Sequence, residues 1–248
     1  MEQLAHIAAA GHSRADVKLV TLSIGINDIG FAEIINDCVN VPPAGAIFGP
    51  HGKFGCNGRD SALTDQALTF LAEDMPAGAY ELPGINVSGT RDLVVGPRQS
   101  LTDVYAEIHR RAPNARILVL GYPQLWGDSF SPDVYGRGTG TCLVGTAFGS
   151  ILLKVDWPDS RWMNEVSKGL DSVVQDAVTT VAGLGADIRY IDTLPAFVGK
   201  KLDYRLCGRT GSPRLRALDL HGTDPLMVSF HPKDSGQQAI APLVIAKA

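Results

Sequence analysis

Two short runs of residues near opposite ends of this 248-residue chain carry side chains suited to acyl-transfer chemistry. Gly25-Ile26-Asn27-Asp28 follows the apolar run Val17-Lys18-Leu19-Val20-Thr21-Leu22-Ser23-Ile24, and Ser229-Phe230-His231-Pro232 stands shortly before the C-terminus. An asparagine amide just past a strand can donate to an oxygen that gains charge as a carbonyl becomes tetrahedral, and losing such a donor costs about 10²–10³ in rate. A histidine can take a proton from a nucleophilic hydroxyl and return it to a leaving alcohol. Gly25 would keep the turn free of a Cβ, so that substrate and backbone approach closely. Asp28 suits capping the next helix and ordering the loop better than it suits catalysis. Asn27 in isolation would be taken for that helix's N-cap. Its place after a strand, with Gly30-Phe31 following, favours the donor role.

The elements that must hold these groups alternate between helix and strand. A short helical piece at 2–10 is followed by a buried parallel strand at 17–24 and a helix from about 28 to 37. Residues 39–60 are rich in Pro and Gly and form a loop, and a helix follows at about 61–73. The spacing of Leu101, Val104, Tyr105 and Ile108 predicts a helix over 100–111, which turns through 112–115 into a strand at 116–123. An irregular region at 124–156 precedes a long helix near 160–182, a strand at 187–192 and a closing helix at about 235–246. This order predicts a three-layer α/β/α sandwich with a parallel sheet, flavodoxin-like in layout, and such sheets place their chemistry beyond the carboxyl ends of their strands.

Composition narrows the function classes. The 22 basic and 26 acidic residues give a net charge of −4, which supplies no field for drawing in nucleic acid or an anionic membrane. With 45% hydrophobic and 19% charged residues and no linker-like stretch, residues 1–248 form one domain around one core. No run approaches the roughly 18 apolar residues of a spanning helix, and the first residues lack the regions of a secretory signal. Cys38, Cys56, Cys142 and Cys207 are widely spaced, with no metal-type Cys-x-x-Cys pair. An even set of this kind points to two disulfides, in any of three pairings, over four buried thiols. Neither a metal nor a cofactor is expected, and the oligomeric state is left open.

Ser23-Ile24-Gly25-Ile26-Asn27-Asp28-Ile29-Gly30-Phe31 and Phe230-His231-Pro232 together resemble the SGNH hydrolase superfamily, also called GDSL lipases and esterases, and most closely its secreted actinobacterial branch. The resemblance covers nearly the whole chain and is specific at these two blocks. It implies a carboxylic ester hydrolase of the lipase or esterase type, acting on lipid esters or on acetyl groups of sugars, with His231 as general base and Asn27 as oxyanion donor. His6, His12, His51, His109 and His221 lack the Phe-His-Pro setting. In the family the nucleophilic serine sits in a Gly-Asp-Ser block upstream of Gly-x-Asn-Asp, at the end of the first strand. No such block precedes Gly25, and Ser13 lies in a polar turn, so the chain is expected to lack the first strand and the nucleophile, either by truncation or as a degenerate member of the family. Gly127-Asp128-Ser129-Phe130 spells the block in the wrong order, which makes Ser129 a chance match, and Ser229 supports the loop of His231.

Many members carry an acid three residues before the histidine, where this chain has Val228. The resemblance implies that the Val228 backbone carbonyl orients His231 instead, with Asp224 a weaker candidate. It also favours the pairings Cys38 with Cys56 and Cys142 with Cys207, a secreted protein whose signal is lost with the N-terminus, and a substrate rim formed by 39–60 and 124–156. The rival from another class is a catalytically inactive domain that keeps the cleft for binding a carbohydrate or lipid.

Overall fold

The structure, a computed structural model, describes residues 13–39, 56, 61–76, 78–83, 90–127, 141–147, 151–208, 212–217 and 230–248. A 3-10 turn at Arg14–Asp16 leads into β1 (Leu19–Leu22), α1 (Phe31–Cys38), α2 (Ser61–Ala72), β2 (Ala79–Glu81), β3 (Leu93–Val95) and α3 (Leu101–Arg111). Then come β4 (Arg116–Leu120), β5 (Thr141–Ala147), β6 (Ile151–Asp156), α4 (Trp157–Gly183), β7 (Ile188–Ile191), a 3-10 turn at Leu194–Ala196 and α5 (Asp234–Ile245). The central sheet is parallel in the order β1-β4-β7, with Leu19 opposite Arg116 and Ile117 opposite Ile188. The expected α/β fold is therefore the one observed.

Burial explains the arrangement. Ile117, Leu118 and Val119 of the middle strand are wholly buried, as expected for a parallel strand covered on both faces. The long helix α4 buries Met163, Val166, Leu170, Val174, Ala177, Val178 and Val181, a stripe at helical spacing, and packs on β7 and against α1, α2 and α3. Strand β1 behaves differently, because among the described residues it pairs with β4 alone and Leu19 is 45% exposed.

Three sequence expectations need correction. The first helix begins at Phe31 and not near 28, because Gly30 takes a left-handed conformation (φ 66°) that a helix cannot continue through. The region 124–156, read as irregular, contains the antiparallel hairpin β5–β6. Its Gly145 falls at a shift in register, which breaks the alternation that would have marked the strand. A second hairpin, β2–β3, has strands of three residues, too short for any period to show. The disulfides are Cys38–Cys56 and Cys142–Cys207, the favoured pairing. The expected helix at 2–10 and most of the 39–60 loop lie outside the described residues.

Candidate functional site

The chain leaves β1 and turns at once. Gly25 has φ 117°, and its carbonyl accepts from the Asp28 and Ile29 N–H groups at 3.1 and 3.3 Å. A Cβ at Gly25 would meet Leu170, Leu71 and Leu101 at 3.2–3.8 Å. Gly25 therefore faces the core, where the absence of a Cβ serves backbone conformation and close packing. Ile29 is fully buried while Asn27 is exposed, so the turn anchors one side chain and presents the other.

The cap geometry separates the two readings of Asn27. The N-cap of α1 is Gly30, with no side-chain cap, so Asn27 is not spent on the helix. Among the described residues its amide has no side-chain hydrogen bond, and an exposed donor in a braced turn is free to meet a ligand oxygen. Asp28 does not cap the helix either. Its carboxylate accepts from Arg98 Nη1 at 2.6 Å, which ties the turn to the segment before α3.

His231 is held by its backbone. Its carbonyl accepts from Arg216 N–H at 2.9 Å, Phe230 N–H donates to the Arg216 carbonyl at 3.2 Å, and Lys233 N–H to the Arg214 carbonyl at 2.8 Å. Phe230 has φ 63°, a left-handed conformation that an L-residue takes at a cost of about 1–3 kcal/mol. The exposed His231 follows this residue directly. Gly236, in the first turn of α5, lies where a Cβ would come within 2.6 Å of the Arg214 carbonyl, so the helix carrying the histidine loop seats tightly.

One stretch of chain touches the neighbours of both groups. Residues 121–126 continue from β4 past the carboxyl end of the sheet. The Tyr122 hydroxyl is hydrogen-bonded to the Ser23 side chain and the Ile26 backbone of the Asn27 turn. Four residues on, the Trp126 ring meets Phe230 edge to face at 5.9 Å, beside His231. Helix α4 fixes this stretch with two polar side chains seven residues apart on one face. Asp171 Oδ1 accepts from Tyr122 N–H at 2.7 Å, while Asn164 accepts from Trp126 N–H at 3.1 Å and donates to its carbonyl at 2.9 Å. The Thr193 hydroxyl donates to the Gly121 carbonyl at 2.9 Å. Side chains thus satisfy buried backbone groups that a neighbouring strand would otherwise pair.

Burial pushes the Asp171 carboxyl up to about 6, with the Asp192 charge adding to the shift and the bonds from Tyr122 and Tyr190 opposing it. The Tyr190 and Tyr122 phenols are also raised, chiefly by burial. Sequence reasoning missed Ser23, Tyr122, Asn164 and Asp171. Val228, Asp224, Ser129, Ser229, His6, His12, His51 and His221 lie outside the described residues. His109 is on α3, in its last turn. Among the described residues no cluster of His, Cys, Asp or Glu could hold a metal ion, and no helix is long and apolar enough to cross a membrane.

No family model matches the chain. In sequence it is similar to a lipase from Streptomyces rimosus, 26% identical over 222 residues, covering 88% of this chain and 56% of that protein. The chain thus spans little more than half the length of that relative. In structure it is similar to the extracellular lipase from Streptomyces rimosus (TM-score 0.58) and to phospholipase A1 from Streptomyces albidoflavus (TM-score 0.55). Each is 20% identical, and each alignment covers 99% of this chain and 76% of the other. Sequence and fold together bear out the resemblance to the SGNH hydrolases carried by the Gly25-Ile26-Asn27-Asp28 and Phe230-His231-Pro232 blocks.

Proposed function

We propose that this chain carries the oxyanion donor and the general base of a secreted carboxylic ester hydrolase of the lipase or esterase type. Asn27 would donate to the developing oxyanion, and His231 would take the proton of a serine nucleophile and return it to the leaving alcohol. Water then hydrolyses the acyl-enzyme, with His231 again as base. No serine of the chain is assigned as that nucleophile. The observation that carries the reading is the Asn27 turn, an uncapped and exposed amide past the carboxyl end of β1, braced by Tyr122 from the same stretch that contacts the His231 loop. The lipase and phospholipase names of the similar proteins support an ester substrate. Two disulfides suit an oxidising compartment.

The test is a fluorophosphonate probe on the protein made from its complete reading frame, with the labelled peptide found by mass spectrometry. One labelled serine is expected, with labelling abolished by His231→Ala. Saturable lipid or carbohydrate binding without any labelling would instead identify an inactive binding domain.

A further inference from the structure

A pocket opens beside the Asn27 turn that neither the oxyanion donor nor the histidine uses. Ile24 and Asp28 form one side, Phe70 and Leu71 of α2 a second, and Leu82 and Val94 of the β2–β3 hairpin a third. Its volume is about 110 Å³. One water occupies about 30 Å³ of liquid, so the space suits about four heavy atoms, and it is smaller than the roughly 150 Å³ cavity known to hold a benzene ring. The inner lining is apolar and buried: Leu71, Met75, Val94 and Leu101 are each at most 7% exposed. The charged pair Asp28–Arg98, at 44% exposure on each side, marks the open end.

The walls are fixed. Met75 and Arg98 exchange backbone hydrogen bonds at 2.9 and 3.2 Å, which sets the base of the Arg98 side chain. Phe70 meets Tyr80 edge to face at 4.5 Å and braces α2 against the hairpin. Leu71 and Leu101 also pack where a Gly25 Cβ would be, so the inner wall rests on the turn that presents Asn27.

We infer that this pocket takes a short unbranched acyl group of about four carbons, its methyl end among Leu71, Met75 and Leu101 and its carbonyl end emerging beside Asp28, one residue from Asn27. The inference rests on the ester-hydrolase reading, which supplies the acyl group. The reverse orientation would bury the polar carbonyl among aliphatic side chains without a partner. Carbons beyond the fourth would pass the charged mouth into solvent and add nothing to binding.

The experiment titrates methyl-labelled protein carrying His231→Ala, which turns over no ester, with methyl acetate, methyl butyrate, methyl octanoate and methyl benzoate, followed by NMR. Methyl butyrate is expected to shift the Leu71, Met75, Leu82, Val94 and Leu101 signals saturably. Affinity should rise about fourfold per methylene from acetate to butyrate and then level. Val104→Trp, at a half-buried lining position, should abolish the shifts without changing the melting temperature; should that variant fail to fold, Leu71→Phe takes its place and should shorten the accepted chain. Shifts centred elsewhere, affinity still climbing at the same step to eight carbons, or a preference for methyl benzoate would overturn the assignment. The protein used for fluorophosphonate labelling, with His231 intact, is assayed separately for methyl butyrate turnover. Binding as described with no turnover sinks the hydrolase reading and leaves a ligand site; turnover with none of these shifts does the reverse.

Discussion

Asn27 illustrates how a residue's function can be tested by what it does not hold up. Its side chain caps no helix and has no hydrogen bond among the described residues, so its removal should leave the fold nearly untouched. Asn27→Ala is expected to lower kcat for ester hydrolysis about 10²–10³-fold while shifting the melting temperature by no more than a degree or two. A large loss of stability with unchanged kcat would show that the side chain is structural. Arg98 makes the opposite case. Its pair with Asp28 is close, but both groups are 44% exposed, and exposed ion pairs contribute about 0–1 kcal/mol. Arg98→Ala should therefore cost little by denaturant titration, whatever it does to the turn.

At the scale of elements, α4 positions the site through two side chains rather than through its ends. Asn164 pairs both backbone groups of the wholly buried Trp126. Asn164→Leu should cost about 1–3 kcal/mol for each group left unpaired, measurable by urea unfolding. Asp171 sets a pH dependence whose sign follows from its raised pKa. Below about pH 4 the folded and unfolded forms are both protonated. Between about 4 and about 6 the folded form keeps a proton that the unfolded chain has released, so this group's contribution to stability falls as pH rises through that window. Asp171→Asn can keep the bond from Tyr122 N–H and should flatten the slope of melting temperature against pH there. A slope unchanged in the variant would assign it to another group.

The helices and the parallel strands were legible because each carries a long apolar stripe or run, as in Leu101, Tyr105 and Ile108 or in Ile117, Leu118 and Val119. The hairpins were not, since their strands are short or interrupted by a register shift. The Asn27 and His231 blocks offered candidate chemistry in the sequence. What holds them was not, because Tyr122, Asn164 and Asp171 act through backbone groups distant in sequence, and sequence periodicity carries no record of such pairs. The helix start was misplaced for a local reason: Asp28 resembles a capping residue, but the left-handed Gly30 starts the helix later and the Asp28 carboxylate is turned to Arg98.

For the whole molecule, the two disulfides bind segments 18 and 65 residues apart in sequence. The chain-entropy model assigns them about 3 and about 4 kcal/mol respectively. Replacing Cys142 and Cys207 by alanine should lower the melting temperature more than replacing Cys38 and Cys56, by calorimetry under identical oxidising conditions. Equal or reversed effects would show that native-state strain or residual structure in the unfolded chain outweighs loop length.

The longer loop has a further consequence. It encloses the turn between α4 and β7, where Leu184 is 74% exposed and Gly185 takes a left-handed conformation (φ 97°). A protease that cuts this turn leaves both pieces covalently joined through Cys142 and Cys207, one bearing Asn27 and Asn164 and the other His231. The nicked protein would run as one band without reductant and as two with it, and the site's halves would part company only when the thiols are freed.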